Sequence, residues 1–157
     1  MSNAILSKLT FFLSTIIPPS DAGDRAEHSL QLATAVLLIE VMRSDAECAE
    51  EEHSAIIGIL EKRFALSDEQ ARQLAEHGEQ TAKTATDFYQ FTTVINRELT
   101  LPEKIRIVEY LWQVVYADGK LSAHENHIMR RLVDLLHISL GDNAAAKARA
   151  KAAAGIE

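Results

Sequence analysis

Two short acidic segments carry the side chains best suited to chemistry in this sequence. Each places a glutamate seven positions after an aspartate: Asp45 and Glu52 in the first segment, Asp118 and Glu125 in the second. Both aspartates and both glutamates are separated by 73 positions, from 45 to 118 and from 52 to 125. Carboxylate oxygens are the ligands that hard cations such as Ca²⁺ and Mg²⁺ prefer. The repeated spacing therefore suggests a site for one divalent cation, Ca²⁺, Mg²⁺ or Zn²⁺, formed by all four carboxylates.

Helix capping is the alternative interpretation of the same residues. Ser122 and Glu125 have the spacing of a capping box, in which the hydroxyl and the carboxylate each accept a hydrogen bond from a free backbone N–H at the start of a helix. In the first segment Ala49 takes the position of Ser122, so Glu52 has no hydroxyl partner. Glu52 can still stabilise a helix N-terminus through the helix dipole. Both interpretations stay open at this point.

Helices must position these segments, because apolar residues recur at helical spacing through nearly the whole chain and strand-type alternation is not sustained anywhere. Ser67 with Gln70 and Thr100 with Glu103 add two further capping boxes. The pattern predicts helices at about 3–17, 24–44, 49–64, 68–81, 85–98, 102–117, 123–137 and 142–153.

An internal repeat organises these helices. Each acidic segment follows a helix that is apolar on almost every side, and each precedes an amphipathic helix. The fold class is therefore predicted to be all-α: a compact bundle of about seven helices built from two pseudo-symmetric repeats of helix, acidic turn and helix. Pairing the repeats face to face would pack helix 24–44 against helix 102–117 near a pseudo-two-fold axis. That arrangement would also bring the four carboxylates into one region.

Composition changes at both ends of the chain. Residues 1–20 are predicted to form an amphipathic helix and a Pro18-Pro19 linker, and its apolar face is expected to be exposed or exchanged with another molecule. That face consists of Leu9, Phe12, Leu13 and Ile16. A helical domain is expected at 21–140, followed by an alanine-rich helical tail at 141–157. The tail has good helix propensity but almost no large apolar side chains, so it is expected to fray or project.

Charge and composition exclude several classes of protein. The 157 residues include 16 Lys and Arg against 23 Asp and Glu, and the net charge is −7. An acidic balance opposes binding to nucleic acid, where neutralisation of phosphates supplies most of the affinity. The single cysteine, Cys48, cannot form an internal disulfide. The apolar run at 9–17 is too short to span a bilayer, which needs about 20 residues. A cytoplasmic location is expected.

Catalytic motifs do not stand out. The sequence has no Gly-x-Ser-x-Gly motif and no phosphate-binding glycine loop. Glu50 and His53 have the spacing used in di-iron bundles, but the equivalent positions in the second segment are Ala123 and Asn126. Trp112 lies inside an apolar helix, so it is expected in the core, where its indole N–H needs an acceptor. A non-enzymatic protein is therefore expected, without an organic cofactor.

The second acidic segment resembles the signature of a known family. The string Tyr116-Ala117-Asp118-Gly119-Lys120-Leu121-Ser122-Ala123-His124-Glu125 is similar to that of the TerB family, the helical domain associated with tellurite resistance. The resemblance covers roughly residues 25–140. The first segment departs from the pattern, since Ser44-Asp45-Ala46 replaces the Ala-Asp-Gly turn. TerB domains are in turn similar to the N-terminal domain of a membrane-anchored DnaJ-type co-chaperone.

The resemblance implies a role in stress and tellurite tolerance, with the acidic residues holding a divalent cation. The predicted function is thus a non-enzymatic stress-response module, and the alternative is a metal-free helical domain for protein interaction or scaffolding. The expected partner is a protein. A membrane-associated partner, peripheral attachment at the inner membrane face and a homodimer all remain open, whereas nucleic acid is not expected.

Overall fold

The computed structural model describes residues 22–43, 50–118 and 123–156, and all regular structure among them is helical. The all-α fold class is therefore confirmed. The described residues form seven α-helices and a 3₁₀ turn, Tyr116–Asp118, that follows the fifth helix. The helices are α1 (Ala22–Arg43), α2 (Glu50–Phe64), α3 (Asp68–Thr84), α4 (Tyr89–Glu98), α5 (Leu101–Val115), α6 (Ala123–Leu135) and α7 (Leu140–Ala153). The helix predicted at 3–17 lies outside the described residues.

The first helix, α1, lies at the centre of the bundle. Its middle is apolar on every side, and residues 35–39 are completely buried. Five helices, α2 to α6, pack against it. The predicted contact between the two apolar helices, α1 and α5, is present. The pseudo-two-fold axis between the repeats stays a prediction.

Capping chemistry fixes the starts of α3 and α5 as predicted. At the start of α3, Ser67 Oγ accepts a hydrogen bond from the Gln70 amide at 3.2 Å, and Gln70 Oε1 accepts one from the Ser67 amide at 2.9 Å. At the start of α5, Glu103 Oε1 accepts from the Thr100 amide at 3.0 Å. This hydrogen bond lowers the pKa of Glu103, because it stabilises the ionised carboxylate. The third predicted box, at Ser122, begins outside the described residues.

Helices α2 and α6 end in the same backbone conformation. Ala65 and His137 follow their last turns with φ of 53° and 59°, in the left-handed region. The next residue of each, Leu66 or Ile138, donates its amide to the carbonyl oxygen five residues earlier, at 3.0 and 3.1 Å. This is the Schellman motif, which usually has glycine at the left-handed position. Both helices therefore end with a residue that is less favourable than glycine in the left-handed conformation.

The alanine-rich tail corrects one prediction. We expected residues 141–157 to fray or project, but α7 packs along α5. Ala146 and Ala150 are buried in this contact, since small side chains allow the two helix backbones to approach closely. Trp112 on α5 donates its indole N–H to Asn143 Oδ1 on α7 at 2.9 Å. The acceptor expected for the buried indole is therefore supplied by the tail.

None of the helices that the structure describes combines the length and the apolar character required to cross a bilayer.

Gly78 marks a close approach of α1 and α3. A Cβ atom there would lie 3.0 Å from the Cβ of Ala35 and 3.3 Å from its carbonyl carbon. We expect Gly78→Ala to destabilise the protein by about 1–3 kcal/mol, because the helices must separate. Gly58→Ala is the control, since Gly58 is exposed on α2 and an added Cβ atom would meet nothing within 4 Å. It should gain about 0.5–1 kcal/mol from helix propensity. Urea denaturation measures the free energy of unfolding of both variants. An equal gain in stability for the two variants would contradict the close approach.

His77, on α3, gives the fold a defined pH dependence. It is half-buried, its Nε2 has no hydrogen-bond partner among the described residues, and burial lowers its pKa. The unfolded chain therefore binds a proton at a higher pH than the folded protein does. The stability contributed by neutral His77 is complete above its unfolded pKa of about 6.5 and is lost as the pH falls from there through the folded pKa.

His77→Gln, which cannot be protonated, should remove that part of the pH dependence. The check is urea denaturation of the variant and wild type at about pH 7.5 and pH 5.5, on either side of the histidine range. His127→Gln is the matched control, because His127 is exposed on α6. If wild type and His77→Gln lose the same stability on acidification, His77 does not contribute.

Candidate functional site

The two glutamates of the predicted site occupy equivalent positions. Glu52 is the third residue of α2, and Glu125 is the third residue of α6. Both are completely buried, with 0% of their surface exposed. Each also interacts with other groups in the structure, so neither carboxylate is isolated. Burial of a carboxylate is costly unless it is paired, hydrogen-bonded or bound to a metal, so these two positions are more demanding than a solvated helix start.

Glu103 shows what capping alone requires. It too is the third residue of its helix, α5, and it completes a capping box with Thr100. Yet Glu103 is exposed to solvent. The same helix position thus carries an exposed carboxylate in α5 and buried ones in α2 and α6. Capping explains the presence of an acidic residue at Glu52 and Glu125, but it does not explain their burial.

The two aspartates are less completely defined. Asp45 lies outside the described residues. Asp118 ends the 3₁₀ turn that follows α5, and its side chain is also outside the described part of the chain. Among residues 22–43, 50–118 and 123–156, no three His, Cys, Asp or Glu side chains are grouped so that they could hold a metal ion. The hypothesis of a cation site therefore depends on Asp45 and Asp118 joining the two glutamates.

Helix packing brings one acidic segment against the other repeat. The 3₁₀ turn Tyr116–Asp118 packs against α2, the helix whose first turn carries Glu52. The helix before that turn, α5, packs against α2 as well. The helices that carry Glu52 and Glu125 also share α1 as a neighbour. The turn that leads into the second acidic segment therefore packs on the helix that carries Glu52.

An aromatic pair positions the 3₁₀ turn. Trp112 and Tyr116 lie one helical turn apart with ring centroids separated by 5.9 Å, and their planes are inclined by 22°. The Tyr116 amide also donates to the Trp112 carbonyl at the end of α5. Tyr116 is buried, and burial raises the pKa of its phenol, which therefore stays neutral. We did not predict this role for Tyr116, although its spacing of four residues from Trp112 indicated a shared helix face.

Glu109 is a third buried carboxylate, and it pairs with arginine side chains. Glu109, on the face of α5 that meets α7, is largely buried and accepts a hydrogen bond from Arg149 Nε at 3.2 Å. Arg106 Nη1 lies 3.8 Å from the same carboxylate oxygen. Two guanidinium groups neutralise this carboxylate, so it would bind a metal ion poorly. The sequence signal for it was a glutamate within the mostly apolar stretch 107–115 of α5.

Comparison with known proteins identifies the family. The family model described as tellurite resistance protein TerB matches residues 31–148, from α1 into α7, and so includes both acidic segments. No curated protein and no solved structure matches the chain. TerB is not a known enzyme family. Since the match extends over well more than half of the sequence and over the repeat on which the resemblance rested, the chain belongs to the TerB family of helical domains associated with tellurite resistance.

Proposed function

We propose that this TerB domain is a non-enzymatic stress-response module that binds one divalent cation through Asp45, Glu52, Asp118 and Glu125. The observation that supports it best is the complete burial of Glu52 and Glu125 at equivalent positions of the two repeats. Glu103, which needs only to cap a helix, stays exposed. Burial at both equivalent positions favours a shared role over two independent caps.

Electrostatics gives the reason for a cation. Four carboxylates in one region repel one another, and this repulsion is relieved by protons, basic side chains or a bound cation. Oxygen ligands from carboxylates suit Ca²⁺ and Mg²⁺ in particular. The net charge of −7 also raises the local concentration of cations around the protein. The four acidic side chains of the two repeats would supply charge and ligands together.

The cation-bound form of the protein is proposed to bind another protein. The chain has no recognisable nucleophile motif or phosphate loop, so its output is binding and not turnover. An acidic surface complements a basic protein surface, whereas nucleic acid would be repelled. The cytoplasm is the proposed location, and one cysteine without an internal partner agrees with a reducing compartment.

Cation binding should raise the stability of the folded protein. We expect Ca²⁺, Mg²⁺ or Zn²⁺, titrated separately, to increase the free energy of unfolding by about 2.7 kcal/mol at a concentration one hundred times Kd. Thermal denaturation at increasing cation concentration measures the effect. Unfolding temperatures that stay constant for all three cations would instead support a metal-free interaction domain.

The aspartates should be needed for this response. Replacing both, as Asp45→Asn with Asp118→Asn, keeps their size but removes two charges. We expect the cation-free protein to become slightly more stable, because repulsion between carboxylates is relieved, while the stabilisation by added cation disappears. Thermal denaturation of the double variant, without cation and at increasing cation concentration, tests this. Retention of the full cation response would exclude these aspartates as ligands.

The glutamates allow a matched comparison. Glu52→Gln and Glu103→Gln make the same chemical change at the same helix position, one buried and one exposed. A capping box accepts glutamine as well as glutamate, so Glu103→Gln should keep its cation response and lose only the small stabilisation that the ionised carboxylate provides. Glu52→Gln should lose the cation response. If the two variants respond alike to cation, Glu52 acts only as a cap.

A further inference from the structure

The last helix, α7, is attached to the bundle mainly through one neighbour. Among the described elements its main packing partner is α5. Within α7 the buried apolar side chains are Ala146 and Ala150, and Ile156, after the helix, also packs against the core. The remaining part is made of specific polar contacts with side chains of α5 rather than of large interlocking apolar groups. A helix held in this way can detach from α5 before the core around α1 unfolds.

The contact surface on α5 is specific for the sequence of α7. Asn143 accepts the Trp112 indole N–H at 2.9 Å, and Arg149 donates to Glu109 at 3.2 Å. Lys147 Nζ lies 4.8 Å from the centre of the Trp112 ring, a distance at which a cation interacts with the π-system. The residue order shows that the two helices are antiparallel. Any helix that replaces α7 must present the same groups in the same register, and α7 of a second copy does so.

The linker between α6 and α7 favours exchange. It comprises residues 136–139 and contains neither glycine nor proline, so these residues can also continue a helix. Its turn depends on His137 in the left-handed conformation, at φ 59°. A side chain at this position is less favourable than glycine, and the strain disappears if the linker opens. Short linkers under strain promote the exchange of the element that follows them.

We propose that two copies of this chain dimerise by exchanging α7, so that α7 of each copy packs on α5 of the other. The pivot is His137, and Ile138 moves together with α7 into the equivalent position of the second copy. Every contact of the closed form is then repeated between the copies, because the same surfaces meet. The partner surface is α5 with Trp112 and Glu109, and the occupant is the C-terminal helix of an identical chain.

A charge reversal divided between two full-length variants tests the exchange. Glu109→Lys and Arg149→Glu each place like charges opposite one another within a single copy. An exchanged dimer with one chain of each kind has two α5–α7 contacts. One contact pairs Glu109 of one chain with Arg149 of the other, as in the wild type. The second contact pairs the two substituted side chains, which also carry opposite charges. We expect an incubated equimolar mixture to give mainly mixed dimers, measured by native mass spectrometry, in excess of the half that random pairing would give. Two variants that remain monomeric, or that pair without preference for the unlike chain, would overturn the proposal.

The double variant with both substitutions in one chain is the first control. It restores the opposite charges within the copy, so it should resemble the wild type in its fraction of dimer. A second measurement does not depend on these charges. His137→Gly removes the strain of the closed turn and should lower the dimer fraction severalfold relative to wild type.

Ala65→Gly is the matched control for His137→Gly, because it relieves the same backbone strain at the end of α2 without touching the linker. It should leave the dimer fraction unchanged. Equal effects of the two glycine substitutions would show that dimerisation follows general stability and not the linker before α7. That result would also overturn the exchange of α7.

Discussion

The burial of α1 is the constraint on which the rest of the structure depends. A helix that is apolar on every side must be covered on every side, and α1 has five neighbouring helices. The buried hydroxyl of Thr34, in its central stretch, bonds to the Leu30 carbonyl at 2.8 Å, so it needs no partner from another helix. At Gly78, α3 covers the surface of α1 through close approach of the two backbones, and not through a large side chain. The bundle is thus arranged around one helix and not around a sheet or a cavity.

The same constraint places the acidic segments. Each begins beyond the end of a buried helix and extends in sequence into the first turn of the next helix. The partial negative charge at a helix C-terminus disfavours a nearby aspartate, whereas the partial positive charge at the next N-terminus favours a glutamate. Glu52 and Glu125 therefore lie in the favourable field, which helps to offset the cost of their burial.

Local patterns predicted the helices well because their causes are local. Periodicity and the capping residues Ser67 and Thr100 define starts that the structure repeats within a few residues. The docking of α7 could not be predicted in this way, since Asn143 and Arg149 meet side chains 31 and 40 positions earlier. Likewise, Glu52, Glu103 and Glu125 fit one rule for helix starts, and only the packed structure separates the exposed one from the buried pair. The contact of Asp45 with this region stays a prediction.

The aromatic pair on α5 connects the two parts of the molecule that the local patterns left separate. Trp112 binds Asn143 and faces Lys147 of α7, and it also stacks on Tyr116. Tyr116 is at once the cap of α5 and the first residue of the turn that leads to Asp118. Neither ring has room to move independently, because both are buried. Protein interiors are close-packed, so the displacement of one buried side chain is transmitted to its neighbours. The docking of α7 and the position of the 3₁₀ turn Tyr116–Asp118 are therefore connected through the same two side chains.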